Sequence, residues 1–263
     1  MKLFNTLMIL FVGFFLMTGF GLSQDSKGIF PLWKSLAKGK ELPSPFGFGI
    51  NVYSQNQTFN LMESSFHMSK IDIPIPEDID INNEVIERNV KMDLWVLPFV
   101  NVFGILGEIE GATRVDYELL DDKIKMNYKG IVYGSGITMA GGYDPYFISL
   151  TAAFSKTKLD NSESSVKAWV FTPKIGINMS GWKIIKDLNI WLGAMYQQSE
   201  EQHNGSMEIF NSIKVDYDVT LEQKNAWNSM AGMLISFNND FCLELERGIG
   251  DRKHTLASLI YRI

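Results

Sequence analysis

The stretch Val90–Gly107, VKMDLWVLPFVNVFGILG, limits the folds open to this chain more than any other. Val90, Met92, Leu94 and Val96 alternate with Lys91, Asp93 and Trp95, the period of a β-strand with one apolar face. Leu97-Pro98-Phe99 breaks the run, because proline has no N–H for a ladder. A second apolar run, Val100–Leu106, follows at once. The pattern predicts two long strands joined by a very short turn. Bulky residues sit on one face, and a lysine and an aspartate on the other. A soluble sandwich buries its bulky face, whereas a closed barrel in lipid exposes it.

A helix can account for membrane insertion only at the start. Lys2 precedes the apolar run Leu7–Phe20, LMILFVGFFLMTGF, and Gly21-Leu22-Ser23 offers the small residues a signal peptidase reads. The run is shorter than the roughly 20 residues a spanning helix needs. Residues 1–23 are therefore expected to be a signal peptide cleaved near Ser23. No cysteine follows the run, so the leader is not that of a lipoprotein. With no later helix-length apolar run, a membrane-embedded mature chain must be a closed barrel, where every backbone group finds a partner. The remaining chain of about 240 residues suits one all-β domain. A net charge of −6 without a basic stripe argues against nucleic acid. Cys242 is the only cysteine, which excludes an internal disulfide and a thiolate metal cluster.

Residues 24–45 read as a periplasmic lead-in. Ile29, Leu32, Trp33 and Leu36 fall at helical spacing within Asp25–Leu42, with Pro31 near the start, so a short amphipathic helix is predicted there. Residues 46–263 read as the barrel. Strands are predicted at Phe46–Gln57, at the two arms of the hairpin above, and at Lys123–Ala140, Tyr146–Thr157, Val166–Asn178, Leu188–Gln198, Leu221–Phe237, Phe241–Arg247 and Lys253–Ile263. Polar excursions separate some of them, including the acidic alternation Ile71–Ile81, IDIPIPEDIDI. The fold class is all-β: an antiparallel up-and-down transmembrane β-barrel of about ten strands. Asn204–Thr220 is the stretch that would raise the number to twelve. Short and longer connections alternate, the asymmetry expected of periplasmic turns and external loops.

The terminal run Thr255–Ile263, TLASLIYRI, resembles the C-terminal strand of bacterial outer-membrane barrels. Ala257, Leu259, Tyr261 and Ile263 carry its alternation, with Ile263 where that class usually ends in Phe. The resemblance is to a broad class of Gram-negative membrane proteins. It implies export, location in the outer membrane, contact with outer-membrane lipid, and recognition of Thr255–Ile263 by the barrel-assembly machinery.

Candidate sites follow from side-chain parity. Lys91, Asp93, Lys174, Glu222, Lys224, Glu244 and Glu246 are predicted to form a polar network in the lumen. Leu94, Ile148, Leu192 and Ile235 are predicted to face lipid near mid-membrane, with aromatics such as Phe46, Tyr146, Tyr196, Phe237, Phe241 and Tyr261 in the interfacial girdles. The three histidines, His67, His203 and His254, are expected in loops or near the outer rim. His203 beside Glu200 and Glu201, or His67 near Glu63, has the residue types of an acid–base site, but no local motif supports one. No metal-ligand spacing occurs, and the glycines of Gly134–Gly136 are not followed by a phosphate-binding helix. No catalytic residue, metal or cofactor is assigned.

The leading functional expectation is a non-enzymatic outer-membrane barrel with a lumen largely filled by side chains. Its acidic extracellular loops would engage an unknown external ligand or surface. The alternatives are a narrow solute pore or solute-binding barrel, and a hydrolase at the rim. A soluble lipocalin-like barrel is the structural rival, and it would place the bulky faces inside.

Overall fold

The computed structural model describes residues 29–37, 42–68, 71–72, 80–116, 124–160, 165–182, 184–209, 213–223 and 225–263; for 60–68, 71–72, 80, 115–116, 124, 200–209 and 213–223 it describes backbone alone. The expected signal peptide lies outside the described residues. The strands are β1 (Phe46–Met68), β2 (Ile71–Asp72), β3 (Asp80–Leu97), β4 (Val100–Asp116), β5 (Ile124–Tyr143), β6 (Tyr146–Leu159), β7 (Ser165–Ser180), β8 (Asp187–Ile209), β9 (Ile213–Gln223), β10 (Trp227–Ser236), β11 (Phe241–Gly248) and β12 (Lys253–Arg262). Ten of them close a ring in the order β1-β3-β4-β5-β6-β7-β8-β10-β11-β12 and back to β1, each antiparallel to its neighbours. The seam runs from Gly47 opposite Arg262 to Asn56 opposite Lys253. Phe46 and Ile263 exchange backbone hydrogen bonds of 3.1 and 3.0 Å at its lower end. This is the architecture of outer-membrane β-barrels.

The wall is uneven in height. β1 and β8 have 23 residues each, whereas β11 has 8 and its neighbours β10 and β12 have 10 each. About 9–11 tilted residues cross a bilayer, so β10 and β12 only just span it and β11 falls slightly short. Above them β9 pairs with β8 from Glu201 to Ile209, and with β1 from Phe59 to His67. One strand thus replaces three at the long-loop end.

Two sequence expectations are corrected here. Leu221–Phe237 is not one strand: it divides into β9 and β10. The polar excursions between the expected strands also contain strand, namely the upper parts of β1, β3, β4 and β8 and part of β9. Their polar residues have strand geometry because β9 gives the upper β1 and β8 a shared partner, a pairing that local pattern does not encode. In the lead-in, Lys34–Ala37 forms one 3-10 turn. Trp33, with φ of 55°, stands in the left-handed region just before it, which an α-helix does not accommodate. Leu32 N–H donates to Val96 O at 2.8 Å, and Phe30 packs edge-on against Phe46, tying this segment to the short-turn end.

Alternation sets inside against outside. On β6 the outward residues are Tyr146, Ile148, Leu150, Ala152 and Phe154, and then Lys156. On β8 they are Leu188, Ile190, Leu192, Ala194 and Tyr196, and then Gln198. The apolar belt is thus nine residues of strand deep on each, the span expected for lipid. Ile148, Ile175 and Leu192 are 62–64% exposed, while Asn51, Asn89, Asp93, Glu246, His254 and Ser258 are buried. Apolar outside and polar inside is the reverse of a soluble barrel, so the lipocalin-like rival is excluded. β4, whose facing the sequence leaves open, has Asn101, Phe103 and Ile105 inward and Val102 and Leu106 outward.

The four residues singled out for lipid contact all lie on the outward parity. Leu192 is at the centre of the belt, whereas Leu94, Ile148 and Ile235 lie nearer its short-turn edge. A lysine at Leu192 should therefore cost about 2–4 kcal/mol, and one at Gln198 about 0–1. Urea midpoints and heat-modifiable gel mobility of refolded variants measure both. Equal midpoints for Leu192→Lys and Gln198→Lys would show that lipid does not cover this height.

Candidate functional site

The inward side chains form three connected layers. At the short-turn end, Asp93 on β3 receives Arg262 Nη1 at 3.0 Å and Asn101 Nδ2 at 2.6 Å. Gly47 on β1 leaves room for this carboxylate, since a Cβ there would collide with it. Lys91 lies over the ring of Phe103, 4.6 Å from its centroid. Among the described residues this cation has no ion-pair partner, since Asp93 is taken by Arg262, and the ring's negative face stabilises it.

The middle layer holds the densest charge. Lys174 Nζ on β7 is 2.7 Å from Glu246 Oε2 and 3.5 Å from Glu244 Oε1, both on β11. It also sits 4.6 Å from the centroid of Trp191 on β8. The other oxygen of Glu246 meets His254 Nε2 at 3.3 Å. A carboxylate only accepts, so this contact places a proton on Nε2. His254 is fully buried and stacks on Tyr53 at 5.7 Å. Along the adjoining strands β12, β1 and β3, Ser258 donates to Asn51, Asn51 donates to Asn89 at 2.8 Å, and Asn89 donates to Glu87 at 2.6 Å.

The upper layer lies where β9 replaces β10–β12. Tyr53 Oη donates to Gln55 at 2.6 Å, and Gln55 to Gln57 at 2.9 Å. Gln57 accepts from Arg252 Nε at 3.0 Å. Arg252 belongs to the β11–β12 turn, yet it is only 1% exposed. Its Nη2 donates to the carbonyls of Asn225 and Ala226 at 3.3 Å, and Asn228 bonds both its backbone N–H and its carbonyl. The guanidinium therefore satisfies backbone groups left open where β9 ends and β10 begins, groups that would be costly if buried unpaired.

Of the seven residues predicted for the lumen, Lys91, Asp93, Lys174, Glu244 and Glu246 point inward, and Lys174, Glu244 and Glu246 meet directly. Glu222 lies in β9, where only its backbone is described, and Lys224 lies outside the described residues. Sequence reasoning missed Arg252 and His254 as parts of the interior. His254, expected in a loop or near the outer rim, lies in the middle layer opposite Gln55 and is sealed inside instead of solvated. Its position on the parity of Ser258 and Ile260 in β12 was the available signal. Arg252 had none, because turn residues follow no period. Side chains at His67 and His203 lie outside the description. No group of three or more metal-ligating side chains occurs among the described residues.

Aromatic rings line the other half. Phe103 lies over its register partner Gly136, Phe147 over Gly176, and Trp191 over Gly232. Each ring occupies the space a Cβ would need, so these glycines make room for large neighbours. The inward faces of β5 and β6 are otherwise small, with Gly134, Thr138, Ala140, Ser149, Thr151 and Ala153.

No protein-family model matches the sequence, and no curated protein matches it. Solved structures with a similar course include the translocator domain of the autotransporter NalP from Neisseria meningitidis, at 9% identity, 88% of this chain, 93% of that chain and TM-score 0.43. The outer membrane protein OprG from Pseudomonas aeruginosa is similar at 8% identity, with 84% and 98% covered and TM-score 0.45. The transport unit of the autotransporter AIDA-I from Escherichia coli is similar at 10% identity, with 87% and 92% covered and TM-score 0.40.

Glu246 carries the middle layer, because it faces two potential cations at once. Glu246→Ala should destabilise the folded barrel by about 3–5 kcal/mol, since it leaves Lys174 without its nearest counter-charge in a closed interior. Adding Lys174→Met should recover much of that loss, because it removes the stranded charge. A double-mutant cycle on urea midpoints in vesicles measures the coupling, and additive losses would show that the two groups are hydrated independently.

Proposed function

We propose that this chain is a non-enzymatic barrel of the bacterial outer membrane whose lumen is closed by its own side chains. The observation that carries the reading is the Lys174–Glu246–His254 contact, which joins β7, β11 and β12 at mid-height. A ring of ten strands is little wider than the eight-stranded barrels whose interiors side chains fill, and open aqueous channels need about sixteen. The inward charges on described residues are largely compensated by one another, as a structural filling requires and a selectivity lining does not. The exposed apolar belt supports contact with outer-membrane lipid. The seam between β1 and β12 supports a role for Thr255–Ile263 in assembly, since the barrel closes on that strand. The long-loop end, with the acidic Ile71–Ile81 segment, is proposed to engage an external surface or ligand.

A narrow pore or solute-binding barrel is the second reading. The small inward residues of β5 and β6 favour it, because they leave that half of the lumen less filled than the half lined by Lys174, Glu246 and His254. Planar-bilayer recording separates the two. Purified, refolded protein is expected to give no discrete unitary currents, while Glu246→Ala with Lys174→Ala opens measurable conductance. Unitary currents from the unaltered protein would overturn the filled lumen in favour of the pore.

A further inference from the structure

The outward face of β5–β7 changes character abruptly at one height. Phe154 and Trp169 stand opposite one another there, with ring centroids 4.8 Å apart. Two residues further up, Lys156 stands directly opposite Lys167. Lys158 is the next outward residue of β6, and Tyr133 on β5 is the other register partner of Lys156. Directly opposed like charges repel, and cross-strand partners bring their Cβ atoms within about 5 Å. None of Lys156, Lys158 and Lys167 has an ion-pair partner among the described residues.

The charges on β3–β5 at or above this height differ. There Arg114 pairs with Glu84 at 2.8 Å, Lys129 with Glu110 at 3.1 Å, and Arg88 with Glu110 at 3.9 Å. The lysine patch is bordered by Asp160 on β6's outer end and by Glu200, the register partner of Lys167 on β8. Its centre, Lys156 opposite Lys167, is left positive. An anion placed between the two would convert the repulsion into a shared contact.

Position selects the anion. The patch lies on the lipid-facing side of the wall and just beyond an aromatic pair, at the level where headgroups begin. It is also at the long-loop end, which is the extracellular end of such barrels. We propose that Lys156, Lys158 and Lys167 form a docking site for the phosphate groups of a glycolipid in the outer leaflet. The inference rests on the outer-membrane reading.

The test begins with wild type, the triple variant K156Q/K158Q/K167Q and the control K125Q/K253Q refolded into phosphatidylcholine vesicles. Heat-modifiable mobility there reports folding and insertion, so a failure of the membrane reading shows before any glycolipid is added. Vesicles then receive a bisphosphorylated glucosamine glycolipid or its dephosphorylated form. Native mass spectrometry after mild detergent extraction counts the glycolipid retained per barrel. Wild type and control should retain the bisphosphorylated form about tenfold better than the dephosphorylated one, and the triple variant should lose that preference. The single variant K158Q should weaken it in the same direction, which keeps the test valid if the triple variant does not fold. Equal retention of the two glycolipids by wild type, or an unchanged preference in the variants, overturns the proposal. Release of the glycolipid by millimolar inorganic phosphate during extraction would reassign the patch to free phosphate and overturn the lipid assignment.

Discussion

Backbone satisfaction in lipid is the constraint on which the rest of this structure depends. A strand in the bilayer core has no water to bond its N–H and C=O groups, so a sheet there must have no edge. The chain meets this by bringing its last strand against its first, down to the reciprocal bonds between Phe46 and Ile263. Once the ring is closed, each residue is assigned to lipid or to lumen by its parity alone. The exposed belt and the buried polar layers are two consequences of that one closure.

The same constraint explains the oddest part of the architecture. Three short strands, β10–β12, stop near the height where lipid ends, and β9 takes over between β8 and β1. A change of partner leaves backbone groups without a ladder. Arg252 and Asn228 meet that need from a turn and a strand start, through Asn225, Ala226 and each other's polar atoms. An arginine suits this role because its several donors point outward in one plane. The wall thus stays sealed at its weakest level without a longer β11–β12 hairpin.

Within the lumen, charge is handled by mutual compensation. Asp93 with Arg262, and Glu246 with Lys174, bring opposite charges together from strands far apart in sequence, while His254 on the neighbouring strand of the same hairpin meets the other oxygen of Glu246. Lys91 and Lys174 also use aromatic faces. Large rings lie over glycines on neighbouring strands and take the space a Cβ there would need. In such a network, moving one group leaves its partner unpaired in a low-dielectric space.

The sequence by itself determined the barrel and most of its facing. Alternation in Val90–Val96, Tyr146–Phe154 and Leu188–Tyr196 is a local property, and a period of two fixes which residues share a side. The short turn at Pro98 was legible for the same reason, since proline acts on its own backbone. Tertiary structure alone decided which inward residues meet. Lys174 reaches Glu246 only because β7 and β11 are both bonded into one ring with a fixed register, and Arg252 becomes interior only because β9 passes above its turn. Polar segments such as the upper parts of β1 and β8 became strand for the same cause. Their partner is β9, and pairing between distant segments is set by closure of the whole sheet and not by any pattern within each.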